Sequence, residues 1–284
     1  MWKSAITGLA IAVLLGTTAA SADVIPALHD ALPQEYKDNG VKVAVFNDWA
    51  PDEFLDADGT LKGWSVDIAH EMEARLGVPF TYEATSFDAI IPGLEAKRFD
   101  AGFSSFGSTP ERMKVLDFVS QRKIGTAFGF AKDSDLVVKE PKDACGLTVA
   151  VLTGAWDAQL VEKLNKEVCV AGGLAEIKMQ DYTTQAQAEL AVRSGRAQAT
   201  VAASVKLAYI AAQTGDMKVS DLVLEAVNSN IGVRKGDALG QVMTDAIQSM
   251  IDDGAYKAIM EKWGIADSGM LTKALLITEE HPEN

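Results

Sequence analysis

The chain has 284 residues, of which 48% are hydrophobic, and carries a formal net charge of −14. That acidity argues against nucleic acid or an anionic membrane surface as a partner, because both are held by basic patches. Length and apolar content suffice for two domains of ordinary size, and no low-complexity tract or long linker separates them.

Residues 1–22 read as a secretory leader: Lys3 supplies the positive start, Ala5 to Leu15 the apolar stretch, and Ala20-Ser21-Ala22 a small-residue cleavage site. The apolar run is shorter than the roughly 20 residues a membrane span needs. No cysteine follows Ala22 to carry a lipid. The mature chain is therefore expected to begin near Asp23, as a soluble periplasmic protein.

Beyond the leader, strand-like runs are predicted at Val41 to Phe46, Phe80 to Glu83, Ala101 to Ser104, Leu147 to Leu152, Ala197 to Ala202 and Ile231 to Arg234. Helical patterns separate them, which predicts α/β architecture with mostly parallel sheets. The clearest helix carries Leu239, Val242, Met243, Ala246, Ile247, Met250 and Ile251 on one stripe; Gly254 interrupts it and Tyr256, Ile259, Met260 and Trp263 continue it. From Asp267 an apolar patch at Leu271, Ala274, Leu275 and Leu276 is expected to dock on the first part of the fold.

The run FDAIIPGLEAKRFDAGFSSFGSTPERMKVLDF, Phe87 to Phe118, holds the most informative charge. Thr109 suits an N-cap, Pro110 the first helical position and Glu111 the positive end of the macrodipole, so a helix starts here. Arg112 then sits where its own charge is disfavoured. A guanidinium fork beside free N–H groups takes a planar anion bidentately, and a carboxylate is the expected partner.

Cys145 and Cys169 are the only cysteines, an even number in a chain that reads as exported, and their spacing fits no zinc or redox motif. A structural disulfide follows. HExxH, GxSxG and P-loop patterns do not occur, so neither cofactor nor metal is expected.

Trp49-Ala50-Pro51 after the first strand, the acidic turn Asp56 to Gly59, the helix start Gly63-Trp64-Ser65-Val66-Asp67-Ile68-Ala69, the Ser104-to-Arg112 run and Gly154 after the Leu147–Leu152 strand occur in a telling order. Over residues 41–265 the chain resembles the amino-acid-binding branch of the periplasmic solute-binding proteins of ABC importers. The resemblance implies two α/β lobes joined by two hinge crossovers, with 23–130 plus 229–284 in one lobe, 131–228 in the other and the ligand cleft between. It also implies a monomer that serves membrane permease subunits.

By the same resemblance Trp49 and Phe87 sandwich the ligand's side chain, Ser104, Ser105 and Gly107 line the first wall, Arg112 takes the carboxylate, and Ala155 and Trp156 face it from the second lobe. Two departures stand out. Gly154-Ala155-Trp156 replaces the family's Gly-Thr-Thr, and Ala203 occupies the place of the acid that grips the α-ammonium. Phe46 stands where binders of basic ligands often carry an acid. An ammonium buried without a carboxylate is costly, so the expected ligand is a carboxylate whose nitrogen is quaternised, cyclised or absent: a betaine, a ring imino acid or an aromatic acid. The alternative is a secreted enzyme on the same fold, such as a cyclohexadienyl-dehydratase-like lyase, whose proton donor would be Asp48, Glu53 or Asp157. The three histidines, His29, His70 and His281, are expected outside the cleft.

Overall fold

The structure, a computed structural model, describes residues 23–266 and 269–282. The expected leader (1–22) and Asp267 lie outside the described residues. After α1 (Pro26–Ala31) and α2 (Gln34–Asn39), β1 (Val41–Val45) buries its three valines while Lys42 stays exposed, the alternation that the sequence predicts. A small antiparallel sheet follows from β2 (Asp48–Trp49), β3 (Glu53–Leu55) and β4 (Leu61–Lys62). Gly63 turns the chain from it into α3 (Trp64–Leu76). It has φ 145°, and a Cβ there would stand 1.8 Å from the Asp52 carbonyl oxygen, so no other residue fits.

Next come β5 (Phe80–Ala84), α4 (Phe87–Glu95), β6 (Ala101–Phe106), the single turn α5 (Pro110–Met113) and the long β7 (Leu116–Ala131). The other end of the molecule holds β8 (Thr148–Leu152), α6 (Trp156–Leu164), β9 (Lys178–Tyr182), α7 (Gln185–Arg193), β10 (Ala199–Ala203) and α8 (Ser204–Thr214). The chain returns through β11 (Met217–Arg234), α9 (Ala238–Asp253), α10 (Ala255–Lys262) and β12 (Leu276–Ile277).

The principal sheet runs β5-β1-β6-β11-β7-β10-β8-β9, with β12 added on β7. Pairing is parallel at both ends and antiparallel through the centre, where β7 and β11 pair with each other from one end of the molecule to the other. The expectation of mostly parallel sheets thus holds only at the ends. Runs of β-branched and small residues identify a buried parallel strand, but Gln121, Arg122 and Lys123 broke the apolar pattern of β7 and hid it. Two-lobed α/β architecture follows from this order: helix-covered parallel strands lie on each side of the β7–β11 pair.

The core on the β1 side includes Trp64, Ile68, Met72, Phe103, Ile247, Met250 and Tyr256, and the one on the β8 side includes Phe128, Phe130, Val149, Val151, Val161 and Val201. Leu271 and Ala274 join the first core, and Leu276 and Ile277 pair with β7, so the C-terminal segment docks where the sequence suggests. Cys145 and Cys169 form the expected disulfide on the β8 side.

Candidate functional site

The N-cap of α5 is the predicted one: Thr109 Oγ1 accepts from the Arg112 amide at 3.2 Å. Arg112 is 7% exposed. Its Nη1 donates to Gly107 O at 2.9 Å, and its Nη2 crosses to the β8 side to donate to Gly154 O at 2.6 Å. The guanidinium carbon lies 5.4 Å from the Phe87 ring centroid and 5.6 Å from that of Phe106. Burial depresses its pKa to about 10, and the nearby charge of Asp157 opposes that shift. Among the described residues Arg112 forms no ion pair with a carboxylate.

Phe46 lies between the two expected sandwich rings, with centroids 6.3 Å from Trp49 and 5.8 Å from Phe87. Phe87 continues onto Phe106 at 5.3 Å. These rings share one apolar cluster with Leu152, Ala155, Ala203 and Leu207 from the other side of the molecule. Trp156 stands apart: no ring contact joins it to Phe46, Trp49 or Phe87 among the described residues. It packs on Gly107, where an added Cβ would come within 2.9 Å of the Trp156 Cβ and Cγ. Phe106 adds a further ring to this cluster, and its carbonyl is held by Asn230 Nδ2 at 2.8 Å. Its position at the end of β6, two residues beyond the predicted strand, was the available signal.

The Ser104 hydroxyl is engaged within the sheet. It donates to Phe103 O at 2.6 Å and accepts from the Phe46 amide at 3.0 Å, so it ties β6 to β1. Ser105, with φ 47°, turns its hydroxyl to Asp52 Oδ2 at 2.6 Å. Asp52 also accepts from the Trp64 indole at 2.7 Å. Burial pushes the Asp52 carboxyl up against these hydrogen bonds. Neighbouring Glu53 is fully buried beside the hydroxyls of Ser65 and Ser105. Burial first, and then the charge of Asp52, pushes it well above the usual range.

Asp48 also makes contacts between the sides. Asp48 Oδ2 accepts from the Ala186 amide at 3.0 Å at the start of α7, and Asp48 O accepts from Lys206 Nζ at 3.4 Å. Together with the Arg112 bond to Gly154, they describe a closed arrangement. Asp157, in the first turn of α6, is buried and accepts from Thr126; burial raises its pKa while Thr126 and Arg112 oppose the rise. His29 bonds the Leu76 carbonyl and His70 packs on Tyr82, both on the β1 side and outside these contacts.

The profile of the bacterial extracellular solute-binding proteins, family 3, matches residues 41–266. The chain belongs to that family. Among solute-binding relatives, the arginine-binding protein ArgT of Corynebacterium glutamicum is 32% identical over 266 residues, covering 92% of this chain and 86% of that protein. The lysine/arginine/ornithine-binding periplasmic protein of Escherichia coli is 27% identical, covering 92% and 96%. A mutant of ArgBP from T. maritima superimposes with a TM-score of 0.74 at 31% identity, over 81% of this chain and 98% of that one. An ancestral amino acid-binding protein described as a precursor of cyclohexadienyl dehydratase gives 0.72 at 28% identity, over the same shares. This solute-binding protein thus has amino-acid-binding relatives along nearly its whole length, and no helix among its described residues is long and apolar enough to cross a membrane.

Proposed function

We propose that this solute-binding protein is the periplasmic receptor of an ABC importer, secreted with cleavage after Ala22 and acting as a monomer. It captures a small carboxylate-bearing, amino-acid-like solute and presents the closed form to membrane permease subunits. The carrying observation is Arg112: a buried guanidinium that bridges carbonyls of both sides and pairs with no carboxylate among the described residues. A buried charge without a counter-ion is costly, and a ligand carboxylate compensates it. Ligand contacts to both sides then favour closure by population shift.

The lobes are proposed as 23–130 plus 229–284 and 131–228. The pairing of Thr126 to Gly129 with β10 supports a first crossover close to this segment, and the register shift at Ser229/Asn230 supports the second. The proposed ligand contacts are Phe46, Trp49, Phe87, Ser105, Gly107, Arg112, Ala155 and Trp156, with Ser104 bracing the wall. Buried Ala203 brings no acid to an ammonium, which supports a nitrogen that is quaternised, cyclised or absent.

Mass spectrometry of small molecules released from the denatured protein identifies a candidate, and calorimetry on Arg112→Ala and Arg112→Lys tests the site. The expected loss in Arg112→Ala is about 2–5 kcal/mol of binding energy, with an intermediate loss in Arg112→Lys because a point charge cannot reproduce the fork. Wild-type affinity in Arg112→Ala would return the residue to a structural role. A second reading, a lyase, is favoured by Glu53, a buried acid held toward its protonated form, and by the neighbour described as a dehydratase precursor. Turnover of a cyclohexadienyl acid that disappears in Glu53→Gln would support it over the receptor.

A further inference from the structure

Lys206 belongs to the first turn of α8, an eleven-residue helix whose neighbouring positions Val205, Leu207 and Ala208 are apolar. A cation there opposes the helix dipole, and burying it forfeits its hydration. Yet its side chain is 3% exposed. It reaches across to the β1 side, where Nζ lies 4.9 Å from the Trp49 ring centroid and 3.4 Å from Asp48 O. It forms a buried salt bridge with Glu189, whose Oε1 lies 3.5 Å from Nζ and whose other oxygen is engaged by Arg193 at 3.1 Å. Asp52 and Glu53 also feel its charge.

The aromatic face that a cationic group of a ligand would use is therefore already occupied by a cation of the protein. A ring face attracts one cation through its quadrupole. A second brought beside it meets Coulomb repulsion in a site where screening is weak. Lys206 also stands one helical turn beyond Ala203, the position that lacks the ammonium-binding acid, so this wall presents a Glu189-paired cation rather than a carboxylate. Among the described residues the indole Nε1 of Trp49 has no hydrogen-bond partner, which adds a donor rather than an acceptor to the site.

We propose that Lys206 is a specificity-determining residue that reserves the Trp49 face against cations, so that the site takes carboxylic acids with no positively charged nitrogen, such as deaminated or aromatic acids and dicarboxylates. This rests on the carboxylate-receptor reading and narrows its ligand classes, setting betaines and ring imino acids aside. Lys206 acts by charge, so removing the charge while keeping the aliphatic stem is the informative change.

The test is calorimetry of wild type, Lys206→Met, Lys206→Arg and Arg112→Ala against phenylacetate, phenylpyruvate, succinate, L-arginine, L-proline and trimethylglycine. Wild type should prefer one of the uncharged-nitrogen or dianionic acids over the three cationic-nitrogen ligands by on the order of tenfold or more. Lys206→Met should shrink or invert that ratio by a similar factor, and Lys206→Arg should keep it. The ratio is the readout because loss of packing alone would weaken all ligands together. Unchanged ratios in Lys206→Met, or tight binding of arginine, proline or trimethylglycine by wild type, overturn the proposal while Arg112→Ala still abolishes binding. Should Arg112→Ala leave every affinity unchanged, the carboxylate reading fails and this proposal with it. If Lys206→Met fails to fold, Lys206→Gln and the wild-type ranking decide between the same outcomes.

Discussion

Gly107 offers a way to separate closure from folding. Its backbone is in a conformation that other residues adopt, so Gly107→Ala costs only what its Cβ meets, which is Trp156 Cβ and Cγ at 2.9 Å. Carbon atoms at optimal separation sit roughly 3.5–4.0 Å apart, and Cβ is not the free end of a side chain that can swing away. Overpacking of this kind costs about 1–3 kcal/mol. Gly107 follows β6 and Trp156 opens α6, so the clash exists only when the two sides are together. The penalty should fall on closure, not on either core. Ligand affinity should drop roughly 5- to 150-fold, with the thermal midpoint of the ligand-free protein nearly unchanged. Titration calorimetry with the tightest carboxylate, together with small-angle scattering of the bound state, measures both effects. Trp156→Ala in the Gly107→Ala background should recover part of the affinity. Wild-type affinity in Gly107→Ala, or a fall in thermal midpoint with affinity intact, would refute the assignment of this contact to closure.

Glu53 makes a pH prediction. Its carboxyl titrates near 4.5 when unfolded and well above that in the fold, so between the two values the folded state binds more protons and stability falls as pH rises. The thermal midpoint should decline as pH rises above about 4.5, and Glu53→Gln should flatten part of that decline; an unchanged profile would mean the buried acid is compensated. Replacing both Cys145 and Cys169 by alanine opens a loop with a sequence separation of 24, which should cost about 3 kcal/mol and on the order of 5–10 °C in thermal midpoint. Chemical denaturation of the double variant measures it, and an unchanged midpoint would reject the estimate. Ala203→Asp places a carboxylate at the N-cap of α8, a favourable position for one. Affinity for an unmodified α-amino acid should rise relative to its deaminated counterpart, and no change in that ratio would show that position 203 does not face the ligand nitrogen.

The sequence by itself determined what depends on local periodicity and local chemistry. The stripe of α9, the break at Gly254, the Thr109 cap that begins α5 and the Gly63 turn all follow from residues within a few positions of each other. The disulfide was legible because two cysteines allow a single intrachain bridge. The order of motifs along the chain was enough to anticipate the two α/β lobes. Only the tertiary structure decided which side chains meet across the sheet. Phe46 came between Trp49 and Phe87 because β1 carries it beside both. Trp156 packs on Gly107, outside the ring cluster that Phe106 joins. Ser104 spent its hydroxyl on bracing β1, a use that depends on the parallel register of β1 and β6. Lys206 and Trp49 are 157 positions apart in the chain, and no pattern within α8 or β2 pairs them. Contacts of that kind arise from how strands are ordered and helices laid over them, and a linear sequence encodes them only through the energy of the whole fold.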